Sequence, residues 1–271
     1  MGTIENPSFF STDFDTGLLY DNSDNEFPTK LYSWKNESFK LKCENSTVYI
    51  YCWKGDCALY TKDRTNPIFL EDNMWACVSE EFEVCGGMGI IMERLDFTGG
   101  MFQVGGPMEA KGRYLYIDGC SDSLIIPPIK KGDPCLNLLY FPPKINQTMH
   151  THPSMRVGMV LYGSGNCITP WQDIPLYTGQ IFLIHEGHKD TFETGEGPIG
   201  DIVEFEGKKD VKGAHCFQTF DEPMIVCAYH PDSDYGPTDD DHPMINKTIV
   251  DGKRANEQSN IRTKKLHEDL F

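Results

Sequence analysis

Short apolar runs separated by glycine, proline, asparagine and aspartate dominate this chain from end to end. Val48-Tyr49-Ile50-Tyr51-Cys52-Trp53, Arg113-Tyr114-Leu115-Tyr116-Ile117, Leu136-Asn137-Leu138-Leu139-Tyr140-Phe141 and Met224-Ile225-Val226-Cys227-Ala228-Tyr229 are rich in β-branched and aromatic residues. They have strand length and none of the 3.6-residue spacing of an amphipathic helix. Gly86-Gly87, Gly99-Gly100, Gly105-Gly106-Pro107 and Pro142-Pro143 punctuate them, as turns do. The pattern predicts an all-β chain of barrels or sandwiches. Residues 251–271 are polar and read as a C-terminal tail, a short surface helix or a flexible end.

Within this pattern one segment carries chemistry. Met149-His150-Thr151-His152-Pro153-Ser154-Met155-Arg156 precedes the apolar run Val157-Gly158-Met159-Val160-Leu161-Tyr162, which Gly163 closes. Side chains at i and i+2 of an extended segment leave the same face, so His150 and His152 can reach one ion together. Imidazole nitrogen suits iron, nickel, copper and zinc. The alternative is a polar strand face that holds no metal.

Composition then narrows the function classes. With 271 residues and 39% hydrophobic positions, two modest cores are within reach. A formal charge of −17 leaves no basic stripe for nucleic acid; it reads as a solvated acidic surface. The first residues lack the basic and apolar regions of a signal peptide, and no apolar run reaches membrane-spanning length, so a cytoplasmic protein is expected, without a membrane partner. The ten cysteines form no CxxC pair and read as reduced, mostly buried thiols. The Asn-x-Ser/Thr triplets at Asn36, Asn45, Asn146 and Asn246 carry no weight without secretion.

A weak internal repeat is visible. Gly55-Asp56-Cys57 corresponds to Gly165-Asn166-Cys167, Trp75-Ala76-Cys77-Val78 to Ile181-Phe182-Leu183-Ile184, Phe82-Glu83-Val84 to Phe192-Glu193-Thr194, and the strand ending at Phe97 to the one ending at Phe205. Several matches in one order suggest duplication, with a boundary near Pro127-Pro128-Ile129-Lys130-Lys131-Gly132-Asp133.

The second half resembles the cupin superfamily. His150-Thr151-His152, three residues, Arg156, six residues and Gly163 match the spacing of its first motif, with arginine where the motif has glutamate. Gly179-Gln180-Ile181-Phe182-Leu183-Ile184-His185-Glu186-Gly187-His188-Lys189-Asp190 resembles its second. There residue type favours His188 as the third metal ligand and strict spacing favours Asp190; His185 stands at the motif's proline position. The resemblance, specific over about residues 135–205, implies two tandem jelly-roll β-barrels. Residues 1–128 would form a degenerate, metal-free domain, since Lys40 and Lys42 fall where His150 and His152 do and a protonated lysine has no lone pair to give. Residues 129–250 would form the metal-binding domain.

Arginine in place of a ligand carboxylate puts a permanent cation beside a divalent ion, which is costly unless an anion joins them. Either a protein carboxylate such as Glu193 or Asp190 supplies that anion, or an anionic substrate does, held by Arg156 and the metal together; Arg156 turned to the surface is the third possibility. Tyr162 is a possible hydrogen-bond donor or a core residue. The acidic segment from Asp232 to Asp241 reads as a rigid turn more readily than as a second cation site. The resemblance implies a non-haem iron dioxygenase acting on a small carboxylate-bearing molecule, with one Fe(II) on His150, His152 and His188 and with Arg156 on the substrate; nickel, manganese or zinc are compatible. The alternatives are a metal-dependent isomerase or lyase of a sugar acid or hydroxy-carboxylate and a barrel that binds a small molecule without catalysis. Exposed edge strands make a homodimer a natural assembly.

Overall fold

The computed structural model describes residues 2–130, 132–187, 200–232, 249, 250, 253 and 254. The polar tail, His188, Asp190, Glu193 and the acidic segment beyond Asp232 therefore lie outside the described residues, apart from a two-residue pairing of Ile249–Val250 with Lys253–Arg254. Among the described residues all regular elements are strands except one 3-10 turn, Ile117–Gly119. The fold class is all-β, as the apolar pattern predicts. No helix among the described residues is long and apolar enough to cross a membrane. The ten cysteines are all free thiols.

The first half builds a six-stranded sheet and a four-stranded sheet. In the first, Gln103–Gly105, Trp75–Val78, Ser46–Lys54, Met88–Leu95, Thr29–Lys35 and Gly17–Asn22 lie side by side; in the second, Ser38–Leu41, Phe82–Cys85, Cys57–Thr61 and Ile68–Leu70 do. The second half repeats the plan: Phe9–Thr12, Ile181–Ile184, Arg156–Ile168, Met224–His230, Cys135–Phe141 and Ser121–Ile126 follow in the same relative order, all antiparallel. Chain position and sheet membership part company at the N-terminus: Phe9–Thr12 pairs with Ile181–Ile184, deep in the second half's sheet.

Long apolar runs without alternation are explained by burial on both faces. On Ser46–Lys54, Val48, Ile50 and Cys52 point into the first half's interior, while Tyr49 and Tyr51 join a cluster shared with Leu183, Val157 and Tyr229 of the second half. On Met224–His230, Met224, Val226 and Ala228 face the second interior with Phe141, Phe182 and Phe217. One strand face thus fills a barrel and the other glues the two halves.

Two details depart from the sequence reading. The run Arg113–Ile117 is a strand only over Tyr114–Leu115, because the chain turns through a left-handed Asp118 (φ 50°). The repeat also has a different register. Topology matches Met88–Leu95 with Met224–His230, and Phe82–Cys85 with Cys216–Gln218, since each of the latter pair borders the strand that carries on from its half's central strand. The strand before Phe82 is followed by a short turn over 79–81; in the second half the corresponding connection runs over 185–215. This connection, which includes the hairpin Ile202–Phe205 with Lys208–Val211, separates Ile181–Ile184 from Cys216–Gln218.

Candidate metal centre

Three histidines meet inside the second half: His150, His152 and His215, with one ligand atom from each, all within 4.8 Å of one another. His150 and His152 lie on the segment between Cys135–Phe141 and Arg156–Ile168; His215 directly precedes Cys216–Gln218. Backbone pairing locks the two segments together. His150 and His215 exchange both N–H···O=C bonds at 2.9 Å, the Gln147 amide donates to the Phe217 carbonyl at 3.0 Å, and the Gly187 amide donates to the His152 carbonyl at 2.7 Å. Asp118 accepts from the Thr148 amide at 2.6 Å, so the left-handed turn also steadies this segment.

The rings are held as metal ligands are. Nδ1 of His150 donates to the Thr148 carbonyl at 2.8 Å, and Nδ1 of His215 donates to the Gly213 carbonyl at 2.9 Å. The acceptor is in each case the carbonyl two residues upstream. A proton held on Nδ1 puts the lone pair on Nε2, the tautomer a metal requires. Nε2 of His152 lies 3.1 Å from Nε2 of His215, within the separation of about 3.0–3.4 Å that two nitrogens bonded to one ion at about 2.0–2.1 Å would have. His152 differs from the other two in that its buried Nδ1 has no hydrogen-bond partner among the described residues.

Charge and burial favour the neutral rings. All three are at most 4% exposed. Burial pushes the His150 imidazolium down to about 4, and burial together with Arg156 pushes His152 well below its usual value. At neutral pH His150 and His152 keep their lone pairs for an ion. The donor set fits a first-row divalent metal: three imidazoles without a carboxylate, which suits iron, nickel, copper or zinc.

Arg156 faces inward, not to the surface. Its Nη1 donates to Asp232 Oδ1 at 3.0 Å, to the Met155 carbonyl at 3.1 Å, to the Ser154 carbonyl at 3.2 Å and to Ser154 Oγ; Ser154 Oγ also donates to Asp232. Among the described residues the anion that balances the guanidinium is Asp232, the first residue of the acidic segment; Glu193 and Asp190 lie outside the described residues. Arg156 and the three histidines line one cavity of about 30 Å³, together with Phe141, Phe182, Ile184, Val226, Ala228 and His230. That is room for an ion and one or two small oxygen ligands. Tyr162 is exposed and points away from the interior.

His150 and His152 are two members of the described three-histidine cluster. His188 and Asp190 lie outside the described residues, and the third imidazole of the described cluster comes from His215, which sequence reasoning did not weigh. The signal was present but weak: a turn glycine, then Ala214-His215 leading into the short run Cys216-Phe217. The corresponding face of the first half holds Lys40 and Glu81 in an exposed ion pair at 2.6 Å, and Lys42 pairs with Glu44.

Scans against protein-family models and curated proteins find no match. Solved structures are similar over most of the chain. Protein Ylba from E. coli has 13% identity and a TM-score of 0.52, covering 85% of this chain and 88% of its own. A putative glyoxylate induced protein from Pseudomonas aeruginosa has 11% identity and a TM-score of 0.53, covering 86% and 83%. A cupin 2 conserved barrel domain protein from Leptotrichia buccalis has 11% identity and a TM-score of 0.46, covering 83% and 85%. At such identities what is shared is architecture, and that architecture is all-β.

Proposed function

We propose that this protein is a metal-dependent enzyme, a non-haem iron oxygenase acting on a small carboxylate-bearing molecule. The observation that carries this reading is the convergence of three buried imidazoles with no carboxylate among them. His150, His152 and His215 would hold the ion. A bound iron(II) would keep its full charge and supply open positions for dioxygen and substrate. His150 and His215 keep their protons on Nδ1, against the Thr148 and Gly213 carbonyls, so both Nε2 lone pairs stay directed at one place. Arg156 brings positive charge to the same cavity, and Asp232 fixes its orientation. Phe141, Phe182, Ile184 and Val226 give the cavity an apolar wall, and a low-dielectric lining strengthens each electrostatic contact inside.

The test is oxygen uptake by the iron-loaded, untagged protein against a panel of small carboxylic acids. Substrate-dependent uptake that disappears in His150→Ala is the expected result. Turnover of a hydroxy-carboxylate without oxygen uptake would replace this reading with Lewis-acid isomerase or lyase chemistry. Ligand binding that survives His150→Ala, with no turnover, would leave a non-catalytic binding barrel.

A further inference from the structure

The cavity contains a second histidine-bearing feature that the metal centre does not use. Register places it: Val157 pairs with Tyr229 and Gly158 with Ala228, so Arg156 lies across from His230 on the neighbouring strand, on the inward face shared with Gly158 and Ala228. Both side chains line the cavity. Each is braced from behind. Asp232 and Ser154 engage Nη1 of Arg156, while the amide nitrogen of buried Asn137 lies 3.3 Å from Nδ1 of His230. An amide donating to Nδ1 leaves the imidazole proton on Nε2. Arg156 is 7% exposed, and its Nε is buried with no hydrogen-bond partner among the described residues. A buried charged donor is costly unless an oxygen reaches it, and a carboxylate bound in the cavity would supply one.

We infer that Arg156 Nε and His230 Nε2 form a carboxylate-reading wall beside the histidine cluster, selecting two-carbon 2-hydroxy- or 2-oxo-carboxylates. The small volume sets the substrate class. With wall and ion centre inside about 30 Å³, the carboxylate and the oxygen turned toward the metal must sit on adjacent carbons. His230 is the specificity-determining residue; Asn137 and Asp232 are positioning residues. The inference rests on the metal-centre reading but is tested separately from it.

The probe is glycolate, titrated calorimetrically into manganese(II)-loaded protein and into metal-free protein, with 1,2-ethanediol as the neutral control. Wild type should bind glycolate and not the diol. His230→Leu should weaken glycolate binding about tenfold or more, the loss expected for one hydrogen bond to a charged group. His230→Gln, which restores a side-chain N–H, should recover affinity to within about threefold, and bound metal should be unchanged in both variants. Equal affinity for glycolate in His230→Leu, equal binding of the diol, or no glycolate binding by metal-loaded wild type would overturn the wall. If wild type takes up no metal, the metal reading fails, and the metal-free titrations of wild type and His230→Leu still decide the wall by the same comparison.

Discussion

Asp232 shows how much a single side chain can carry. It is 1% exposed, accepts from Arg156 and Ser154, and offers the only carboxylate ion-paired with that guanidinium among the described residues. Removing one partner of a buried pair strands the other's charge in a low dielectric, a loss of about 3–5 kcal/mol. Asp232→Ala should therefore lower the denaturation midpoint sharply, measured by urea unfolding with an unchanged slope; a loss under about 1 kcal/mol would show that the pair is hydrated. The same residue was legible in the sequence only as part of an acidic turn. Nothing in Asp232-Ser233-Asp234 says that its first member turns inward toward Arg156, 76 positions earlier, because ion pairs between distant positions leave no local pattern.

The strand Arg156–Ile168 is the element on which the site depends. Its first residues pair with Ile181–Ile184 and Met224–His230; its last pair with Asp173–Tyr177 and Cys216–Gln218. The change of partners occurs past a register shift between Val160 and Tyr162, at Gly163. Gly163 has φ +76°, and a Cβ there would lie 1.9 Å from the Pro223 carbonyl oxygen. Both a left-handed conformation and a backbone clash oppose any side chain. Gly163→Ala should cost about 2 kcal/mol or more, read as a lower unfolding midpoint, and should loosen the metal site, since Cys216–Gln218 carries His215 into place. An unchanged midpoint would mean that the corner is not needed. This glycine, the two histidines before it and the strands around them could be read from spacing, because each obeys a period-2 or fixed-offset rule. His215 could not. The insertion over 185–215 moves it far from the second motif, and an alignment by local similarity settles on Phe192-Glu193-Thr194 instead of Cys216-Phe217-Gln218. In the first half the corresponding turn over 79–81 is short, so the two halves disagree in length where the third ligand arises.

At the scale of the molecule, the two halves share one buried cluster and one pH response. Tyr49 and Tyr51 pack against Tyr229, Val157 and Leu183 across the halves, with the Tyr49 and Tyr229 rings 5.2 Å apart. Leu183→Ala should cost about 2–5 kcal/mol and destabilise both halves together, seen as one cooperative unfolding transition at a lower temperature; two separated transitions would show independent halves. Buried imidazoles govern the acid limb. His150 and His185 are pushed down to about 4 by burial, and His152 and His230 well below their usual value. The unfolded chain then binds more protons than the folded one below about pH 6.5, so stability is full above that pH and is lost as pH falls toward 4. Asp122 works the other way: burial raises it to about 6, so its contribution grows as the pH falls from there toward 4. The histidines outnumber it. Metal-free protein should melt at a lower temperature at pH 5 than at pH 7.5, and an equal or higher melting temperature at pH 5 would contradict the burial of neutral rings.

The measurement that bears most directly on the histidine centre is metal stoichiometry by elemental analysis of untagged protein, loaded with iron(II) under anaerobic conditions and dialysed, for wild type beside His215→Ala. About one ion per chain in wild type, falling below about a tenth in the variant while its fold persists by circular dichroism, is the predicted result. Full loading of His215→Ala, or a wild-type protein that retains no metal, would contradict it.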